Sequence, residues 1–321
     1  MKQLLILSSP TDSSTSKVIS WLKILSPSTN ILKLCPNDIF QYAISHEIGN
    51  NTFAIRQLER KIDSIKVDVV WSRKWHPEEV CENYRINLPQ KTLLLIKNHI
   101  LQEVSVFFDY FFYCFRNVFW LNHPHYNSPN KLIQLEMAAA TGFNIPYSIL
   151  TNKSQKLMSQ KSWITKTISN CVSFQHNNTI YTNYTSKLTG KESYDDLFIS
   201  FVQENIPKEA EIRVFYLLGK CYALLIHSQN NKKTQTDYRK YDYKHPNRLE
   251  PCQLPPDIES KIDAFMHAMN LQTGSLDFIL TPSGEHVFLE VNPCGQYDIF
   301  NTCNIYPDKL IAEALISKLR Q

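Results

Sequence analysis

Three oxygen-bearing side chains near the end of the chain lie within one predicted β-hairpin, 274–292, in which alternating strands flank a Thr-Pro-Ser-Gly turn. A turn at 281–284 places Asp277 opposite Phe288, so that Glu290 is its diagonal neighbour and Asn292 points to the same face. The other face is predicted to lie on the core because its residues are all apolar: Leu276, Phe278, Leu280, Val287, Leu289 and Val291.

The hairpin has the chemistry of a site for a hard cation. Asp277, Glu290 and Asn292 offer oxygen ligands, which suit Mg²⁺ held jointly with phosphate groups. On spacing alone, the solvated polar face of a half-buried surface hairpin is an equal alternative. The choice between the two therefore depends on whether cationic partners for phosphate occur elsewhere in the chain.

Three cationic residues are candidates for that role. Lys166 lies inside an otherwise apolar strand, WITKTI, where the alternative is a lysine that protects a sheet edge. Arg213 begins another strand and shares a face with Phe215, and Arg239 lies in a polar segment rich in tyrosine. Each alone could be a surface charge, but together they are the opposite-charge partners that a polyphosphate beside an acidic hairpin requires.

The elements that must position these residues alternate between strands and helices. Apolar runs at 3–8 and 67–71 with helical spacing between them predict an α/β N-terminal domain. A segment rich in Asn, Pro and His near 120–130 predicts a domain boundary. The clearest helix is predicted over 128–142, with Ser128 as its cap and Gly142 as the left-handed residue after its end.

Most of the chain after residue 162 is predicted to form strands. A hairpin is expected about Gly219, between strands 212–218 and 220–226. Amphipathic helices are expected over 255–270 and 304–319. The fold class is therefore α/β (α+β).

Composition excludes several classes of protein. The chain has 321 residues and 7 glycines, whereas average usage would give roughly 22. Neither the dinucleotide fingerprint G-x-G-x-x-G nor the P-loop occurs, so any nucleotide is held without those glycine cradles. A net charge of +4 is too small to indicate a nucleic-acid partner.

Cysteine spacing and the N-terminus indicate a cytoplasmic protein without a membrane anchor. None of the 8 cysteines has C-x-x-C or zinc-ligand spacing, which favours reduced thiols. The first residues lack the long apolar segment of a signal peptide. The apolar run 104–121 is interrupted by Asp109 and Arg116, and we expect an aromatic-rich buried helix there.

The order of short motifs along the chain resembles that of the ATP-grasp ligases. The motifs are NKLIQL (130–135), ITKT (164–167), FVQENI (201–206), EIRV (211–214), TDYR (236–239), SLDFI (275–279) and FLEVNP (288–293). Within that superfamily the chain resembles the graspetide, or microviridin-type, peptide-crosslinking enzymes. It is most similar to the grasp-with-spasm peptide maturases, through PNR followed by LP and through NPCGQ. The resemblance covers essentially the whole chain and is strongest from about residue 120.

The resemblance implies a role for each motif, with ATP and Mg²⁺ as the cofactors. The phosphate-contacting lysines are Lys131 and Lys166; the adenine-contacting segment holds Gln203, Glu204 and Ile206; the ribose contact is Glu211; the arginines at the γ-phosphate and acyl phosphate are Arg213 and Arg239; and the Mg²⁺ ligands are Asp277, Glu290 and Asn292.

The resemblance also implies an activity and a domain plan. Asp or Glu side chains of a ribosomal precursor peptide would be activated as acyl phosphates and joined to Ser, Thr or Lys as ω-esters or ω-amides. The implied layout is a pre-ATP-grasp domain (1–125), a central domain (126–205) and a C-terminal domain (206–321). The implied partners are a leader-core peptide and, as in related enzymes, a second copy of the chain.

The chain departs from the family at two places, and two other functions share its motifs. Segment 169–178, which corresponds to the glycine-rich lid of many members, has no glycine. The family's motif NPVGQF reads NPCGQY here, and we expect Cys294 to pack against its neighbours rather than to react. A carboxylate–amine ligase for free amino acids or metabolites, or an ATP-binding scaffold without turnover, would show the same motifs. Precursor recognition is assigned to the loop 71–76 or to 238–243, each of which is alternatively a solvated surface loop.

Overall fold

The computed structural model of the chain describes residues 2–49, 52–57, 60–77, 89–153, 162–169, 173–177, 179–182, 185–188, 198–229 and 245–321. These residues form two compact units. The first contains residues 1–127 together with 306–321, and the second contains residues 128–305. The three-domain layout implied by sequence stays a prediction, and the closing helix lies in the first unit.

A parallel sheet forms the centre of the first unit, with strand order β2-β1-β6-β7. β1 is apolar and buried along its whole length, as a parallel strand covered on both faces should be. The chain between β2 and β6 forms a small antiparallel sheet with the order β3-β4-β5. The elements of this unit are β1 (Gln3–Ser8), α1 (Ser13–Leu25), β2 (Asn30–Leu34), β3 (Ala43–Ile44), β4 (Ala54–Gln57), β5 (Arg60–Asp63), β6 (Val69–Arg73), α2 (Gln90–Cys114), β7 (Phe119–Leu121) and α5 (Pro307–Arg320).

The second half of α2 supplies the aromatic core of this unit, as the apolar run 104–121 predicted, but the helix ends at Cys114 and residues 119–121 form the strand β7 instead. Phe108, Phe111 and Phe112 are buried against the sheet, and Phe115 follows at the end of the helix. Trp75 packs edge-on against Phe108 at 5.0 Å between ring centroids. Within the part of the chain that the structure describes, no helix has the length and apolarity needed to cross a membrane.

An ion-pair cluster joins the carboxyl ends of β1 and β6. Asp12 caps α1 by accepting from the Thr15 amide, and its carboxylate lies 3.1 Å from Arg73 Nε and 2.9 Å from Lys74 Nζ. Burial opposes ionisation of Asp12, but Arg73, Thr15 and Lys74 outweigh it and lower the pKa of the carboxyl. β6 continues to Arg73, so the first half of the predicted loop 71–76 is strand. Because Arg73 and Trp75 are buried, much of this segment has a structural role.

His123 should make the stability of the first unit depend on pH in the acid range. It lies 4.5 Å from the Trp120 ring and 4.6 Å from the His125 ring, and burial together with His125 lowers the pKa of His123 to about 4. The unfolded chain protonates this residue near pH 6.5 whereas the folded chain does not. Stability is therefore full above pH 6.5 and should fall by up to about 3 kcal/mol as the pH drops towards 4.

Urea unfolding at pH 7.5 and 4.5 measures this effect. His123→Phe keeps a ring among its neighbours and should reduce the loss of stability between the two pH values. His99→Gln, at an exposed position of α2, serves as the control and should behave as the unaltered protein does. Equal losses in all three proteins would show that other groups cause the acid sensitivity.

The second unit contains two larger sheets. One has the order β12-β9-β13-β8 and the other, which is antiparallel throughout, has the order β16-β15-β14-β17-β18. The elements are α3 (Lys131–Ala140), β8 (Ser148–Thr151), β9 (Trp163–Lys166), β10 (Ser173–His176), β11 (Thr179–Thr182), β12 (Ser186–Lys187), β13 (Ser200–Glu204), β14 (Ala210–Leu217), β15 (Lys220–His227), β16 (Arg248–Cys252), α4 (Pro256–Ala268), β17 (Thr273–Leu280) and β18 (His286–Asn292).

The predicted helices and hairpins of this unit form, with one correction at a helix start. α3 is capped by Asn130, whose side chain accepts from the amides of Leu132 and Ile133, so the assignment of Ser128 as the cap was wrong. Gly142 does follow the helix with a φ of +84°. α4 buries Ile258, Ile262, Phe265 and Met266 against the core of the five-stranded sheet, as its apolar spacing predicted.

Candidate active site

The acidic hairpin forms, but with a different register from the one that the turn predicts. Asp277 lies directly opposite Glu290, and Phe278 lies opposite Phe288, which leaves Leu289 as the extra residue of a β-bulge. Leu280 pairs with His286 rather than Glu285, so the register differs by one residue at the turn and by a second at the bulge. Phe288 therefore faces the core and Val287 pairs with Ile279 on the opposite face, so the placements of Phe288 on the polar face and of Val287 and Leu289 on the core face were wrong. Because opposed residues have Cβ atoms roughly 4.5–5.5 Å apart, the two carboxylates are closer than the diagonal arrangement would allow.

Arg213 lies beside this pair on the neighbouring strand β14. Its Cα partner is Asp277, and Arg213 Nη1 donates to both Asp277 oxygens at 2.8 Å. Arg213 Nη2 donates to the carbonyl of Gln296 at 2.9 Å. Both charged side chains are buried. The strands β14, β17 and β18 thus bring an arginine and two carboxylates into one row.

Glu211 lies two residues before Arg213 and points to the same side of β14. Lys208 Nζ donates to Glu211 Oε1 at 2.6 Å. Burial raises the pKa of the Glu211 carboxyl and the charge of Asp277 adds to this, while Lys208 and Ser228 oppose it. Its role as a ribose contact stays a prediction.

The segment after β18 approaches Arg213 closely, which explains a glycine in NPCGQ. Asn292 Oδ1 accepts from the Cys294 amide at 3.1 Å, which fixes the turn. A Cβ at Gly295 would lie 3.0 Å from Ser275 Cβ and 3.1 Å from Arg213 Nη2. Any larger residue at Gly295 would therefore displace the arginine or the strand beneath it.

The two predicted phosphate lysines lie on different elements, Lys131 on the helix α3 and Lys166 at the end of β9 in the other sheet. Lys131 is the first residue of α3, where a positive charge opposes the helix dipole. Lys131 Nζ donates to the carbonyls of Thr167 at 3.2 Å and Ser169 at 2.8 Å, just beyond Lys166 in β9. Lys166 Nζ lies 5.9 Å from the centroid of the Phe201 ring. The roles of Lys131 and Lys166 as phosphate contacts stay predictions.

The predicted adenine segment lies on β13 and the loop after it. Gln203 is fully buried, and its Nε2 donates to Ser148 Oγ at 2.9 Å. Gln203 Oε1 is buried and accepts no hydrogen bond from the residues that the structure describes. An acceptor of this kind fits the exocyclic amino group of an adenine. Glu204 and Ile206 are half-buried at the end of the strand and in the loop that follows.

The residues on the acidic face fit a Mg²⁺ ion. Asp277 and Glu290 supply two carboxylates on opposed positions, and the amide oxygen of Asn292 lies on the same strand two residues after Glu290. Among described residues no cluster of three or more His, Cys, Asp or Glu could hold a metal. Two carboxylates with one amide are instead the weak oxygen set that binds Mg²⁺ together with phosphates.

Two predicted features lie outside the described residues, and three contacts were not predicted. Arg239 with the segment 238–243 lies outside, as do residues 170–172 and 178 of the predicted loop 169–178. Residues 173–176 of that segment form the strand β10, which pairs with β11, so they are not a loop. The spacing of Lys208 and Glu211 could have indicated their ion pair, whereas nothing in the sequence indicated the direct Arg213–Asp277 contact. The third is a hydrogen bond from the Val291 amide to the side chain of Gln134, residues 157 positions apart.

No protein-family model matches the chain, and no curated protein matches it. Solved structures do match, over nearly its whole length. A RiPP-associated ATP-grasp ligase of Chryseobacterium gregarium, in complex with ADP and a leader and core peptide, has a TM-score of 0.82 at 20% identity, and the match covers 99% of this chain and 97% of that one.

Two other structures extend this similarity. The macrocyclase MdnC of Microcystis aeruginosa, bound with the precursor peptide MdnA, has a TM-score of 0.77 at 20% identity, with 98% of this chain and 99% of that chain covered. The ATP-grasp ligase PsnB, complexed with a minimal precursor, Mg and ADP, has a TM-score of 0.75 at 15% identity, with 98% and 97% covered. The motif order and the architecture agree, and the chain has the ATP-grasp ligase fold.

Proposed function

We propose that the protein is an ATP-dependent ligase that crosslinks a ribosomally made precursor peptide. The observation that carries the proposal is the row of Arg213, Asp277 and Glu290 across three adjacent strands, in a fold shared end to end with ligases solved with ADP and peptides. The row combines oxygen ligands for Mg²⁺ with a buried guanidinium, which is what transfer of a phosphoryl group to a carboxylate requires.

The proposed reaction begins with a side-chain carboxylate of the peptide. One of its oxygens attacks the γ-phosphorus of ATP, and the bond from that phosphorus to the β,γ-bridging oxygen breaks, giving an acyl phosphate and ADP. Arg213, and Arg239 by the family resemblance, hold the transferred group, while Lys131 and Lys166 hold the other phosphates. Bound Mg²⁺, on Asp277, Glu290 and Asn292, would neutralise charge on the phosphates.

The second step forms the crosslink. A Ser or Thr hydroxyl, or a Lys amine, attacks the acyl carbon, and the carbon–oxygen bond to phosphate breaks. The nucleophile loses one proton, and inorganic phosphate leaves with the bonding electrons. The product is an ω-ester or an ω-amide. The fixed charge of Arg213 favours this step because it stabilises the departing phosphate.

The proposal is tested with a short peptide encoded by a reading frame next to the gene for this protein. The peptide is incubated with the enzyme, ATP and Mg²⁺ and analysed by mass spectrometry. Loss of one water per crosslink and release of ADP and phosphate with peptide present are expected. Phosphate release with free glutamate in place of peptide would favour a carboxylate–amine ligase. Nucleotide binding without stimulated ATP consumption would favour a scaffold.

We also propose a cytoplasmic location, which agrees with the chemistry of the thiols. The described cysteines that form no disulfide are Cys35, Cys114, Cys221, Cys252, Cys294 and Cys303. Burial, with nearby acidic groups, raises the pKa of Cys221 to about 12 and that of Cys252 to about 11, so both stay protonated and unreactive. Nucleic acid has no part in the proposed function.

We propose α2 as the contact surface of a homodimer. Leu95, Val106 and Tyr113 are 80%, 67% and 57% exposed along one side of the helix. With His99, Gln102 and Asp109 they form a stripe along the helix, in which successive residues are alternately four and three positions apart. If a second copy of the helix packs antiparallel against this stripe, Leu95 lies opposite Tyr113 and His99 lies opposite Asp109 of the other copy.

Light scattering of the purified protein tests this surface. Val106→Glu, in the middle of the stripe, should convert a dimer to a monomer, because it places like charges across the two-fold axis. Ser105→Glu, one position away and outside the stripe, should leave the dimer intact. A dimer that persists in Val106→Glu would place the interface elsewhere.

A further inference from the structure

We infer that Gln134 is a positioning residue that fixes the metal-binding strand β18 to the helix that carries a phosphate-binding lysine. The inference rests on the proposed function, because it concerns residues assigned there to Mg²⁺ and phosphate. Gln134 itself touches neither group in the proposal. It acts through the main chain on both sides.

The side chain of Gln134 is 3% exposed and spans two main-chain groups. Its Oε1 accepts from the Val291 amide at 2.8 Å, and its Nε2 donates to the Pro129 carbonyl at 3.1 Å. One buried side-chain amide therefore satisfies a strand and the start of a helix at once. A buried amide bonded at both ends holds its partners in one geometry.

The strand needs this support because β18 is the last strand of its sheet. Amide groups on its outer edge have no further strand to bond with. The Phe288 amide donates to the Asn144 carbonyl at 2.8 Å, and the Val291 amide donates to Gln134. Between them lies the bulge at Leu289, where pairing with β17 is interrupted. Gln134 thus fixes the strand just beyond its least regular point.

Val291 is also the residue between two proposed ligands. Its neighbours in sequence are Glu290 and Asn292, so the position of its amide sets the direction of both side chains. Gln134 lies one turn after Lys131 on α3. The hydrogen bond therefore couples the spacing of the proposed metal ligands to that of a proposed phosphate ligand.

The substitution Gln134→Leu tests the inference, since leucine fills much of the same volume but can neither accept nor donate. The measurement is calorimetric binding of ADP with Mg²⁺ and of ADP in EDTA. We expect the Mg²⁺ concentration for half-maximal Mg²⁺-dependent binding to rise about tenfold, the size usual when a supporting residue of a metal site is lost. Binding in EDTA should change less than twofold.

Tyr216→Phe is the matched control. It removes another hydrogen bond at the same core, from Tyr216 Oη to Asp263 Oδ1 at 2.6 Å, and Tyr216 lies on β14, two strands from β18. It should lower thermal stability as Gln134→Leu does but leave the Mg²⁺ midpoint unchanged. The positioning role would be overturned if the two variants had the same Mg²⁺ midpoint. It would also be overturned if Gln134→Leu lost as much ADP binding in EDTA as it lost with Mg²⁺.

The assay also separates this inference from the proposed function. It requires nucleotide and metal binding but no turnover. An enzyme that binds ADP with Mg²⁺ in a Gln134-dependent way yet consumes no ATP with peptide would contradict the ligase proposal and support the role of Gln134. An unaltered protein whose ADP binding is indifferent to Mg²⁺ would contradict both.

Discussion

Glu290→Gln should abolish peptide-dependent ATP consumption, with a loss on the order of a thousandfold. Glu290 is one of the proposed metal ligands and lies opposite Asp277. The substitution keeps the shape of the side chain while removing its charge. A neutral amide holds Mg²⁺ poorly, and the charge on the transferring phosphoryl group is then not neutralised. The fold should survive, because the side chain is only half-buried at a sheet edge.

Glu285→Gln is the control for this prediction. Glu285 lies in the turn of the same hairpin, where it is exposed and accepts from Ser283 Oγ at 3.3 Å. It should retain full turnover. The Mg²⁺ dependence of ADP binding should weaken in Glu290→Gln and not in Glu285→Gln. Normal crosslinking by Glu290→Gln would remove Glu290 from the metal set.

The hairpin shows how far sequence predicts this site. Its strands and the common face of Asp277, Glu290 and Asn292 follow from alternation, which is local. The register does not follow, because Leu280 pairs with His286 across a loop one residue longer than predicted and because the bulge at Leu289 depends on what fills the core. Phe288 is 5.0 Å from Phe265 and 5.5 Å from Phe143 between ring centroids, so a ring from this strand fills that space. Counting back from the turn cannot reveal that demand.

The other misses have the same physical origin. Asn130 rather than Ser128 caps α3 although both types of residue are good caps, and the position of the chain before the helix decides between them. The bond between Gln134 and Val291 joins residues with no local relation in sequence. Local propensity and period therefore predicted the long helices and the main buried strands but not the short strands β2 to β5, β7, β10, β12 and β16. Contacts between distant elements decided the register and ends of the elements.

Arg213→Lys should have the second largest effect, a loss of turnover of about a hundredfold together with lower stability. Arg213 uses one nitrogen for both oxygens of Asp277 and another for the Gln296 carbonyl. Lysine keeps the charge but offers one nitrogen, so it cannot hold both partners. The Asp277 carboxylate is then less well compensated in a buried place, which should cost about 2–3 kcal/mol of unfolding free energy.

Arg248→Lys is the matched change, because Arg248 pairs with Glu250 at 2.9 Å on the exposed edge of the same sheet, and neither turnover nor stability should change there. Denaturant unfolding and phosphate release, measured on the same samples, then separate two roles of Arg213. A variant that is destabilised but turns over normally would show that Arg213 supports Asp277 alone. Since Nη2 of the arginine already bonds a carbonyl in the tight turn that Gly295 permits, we expect both losses together. The charge then has to lie at a fixed point beside the phosphate rather than merely nearby.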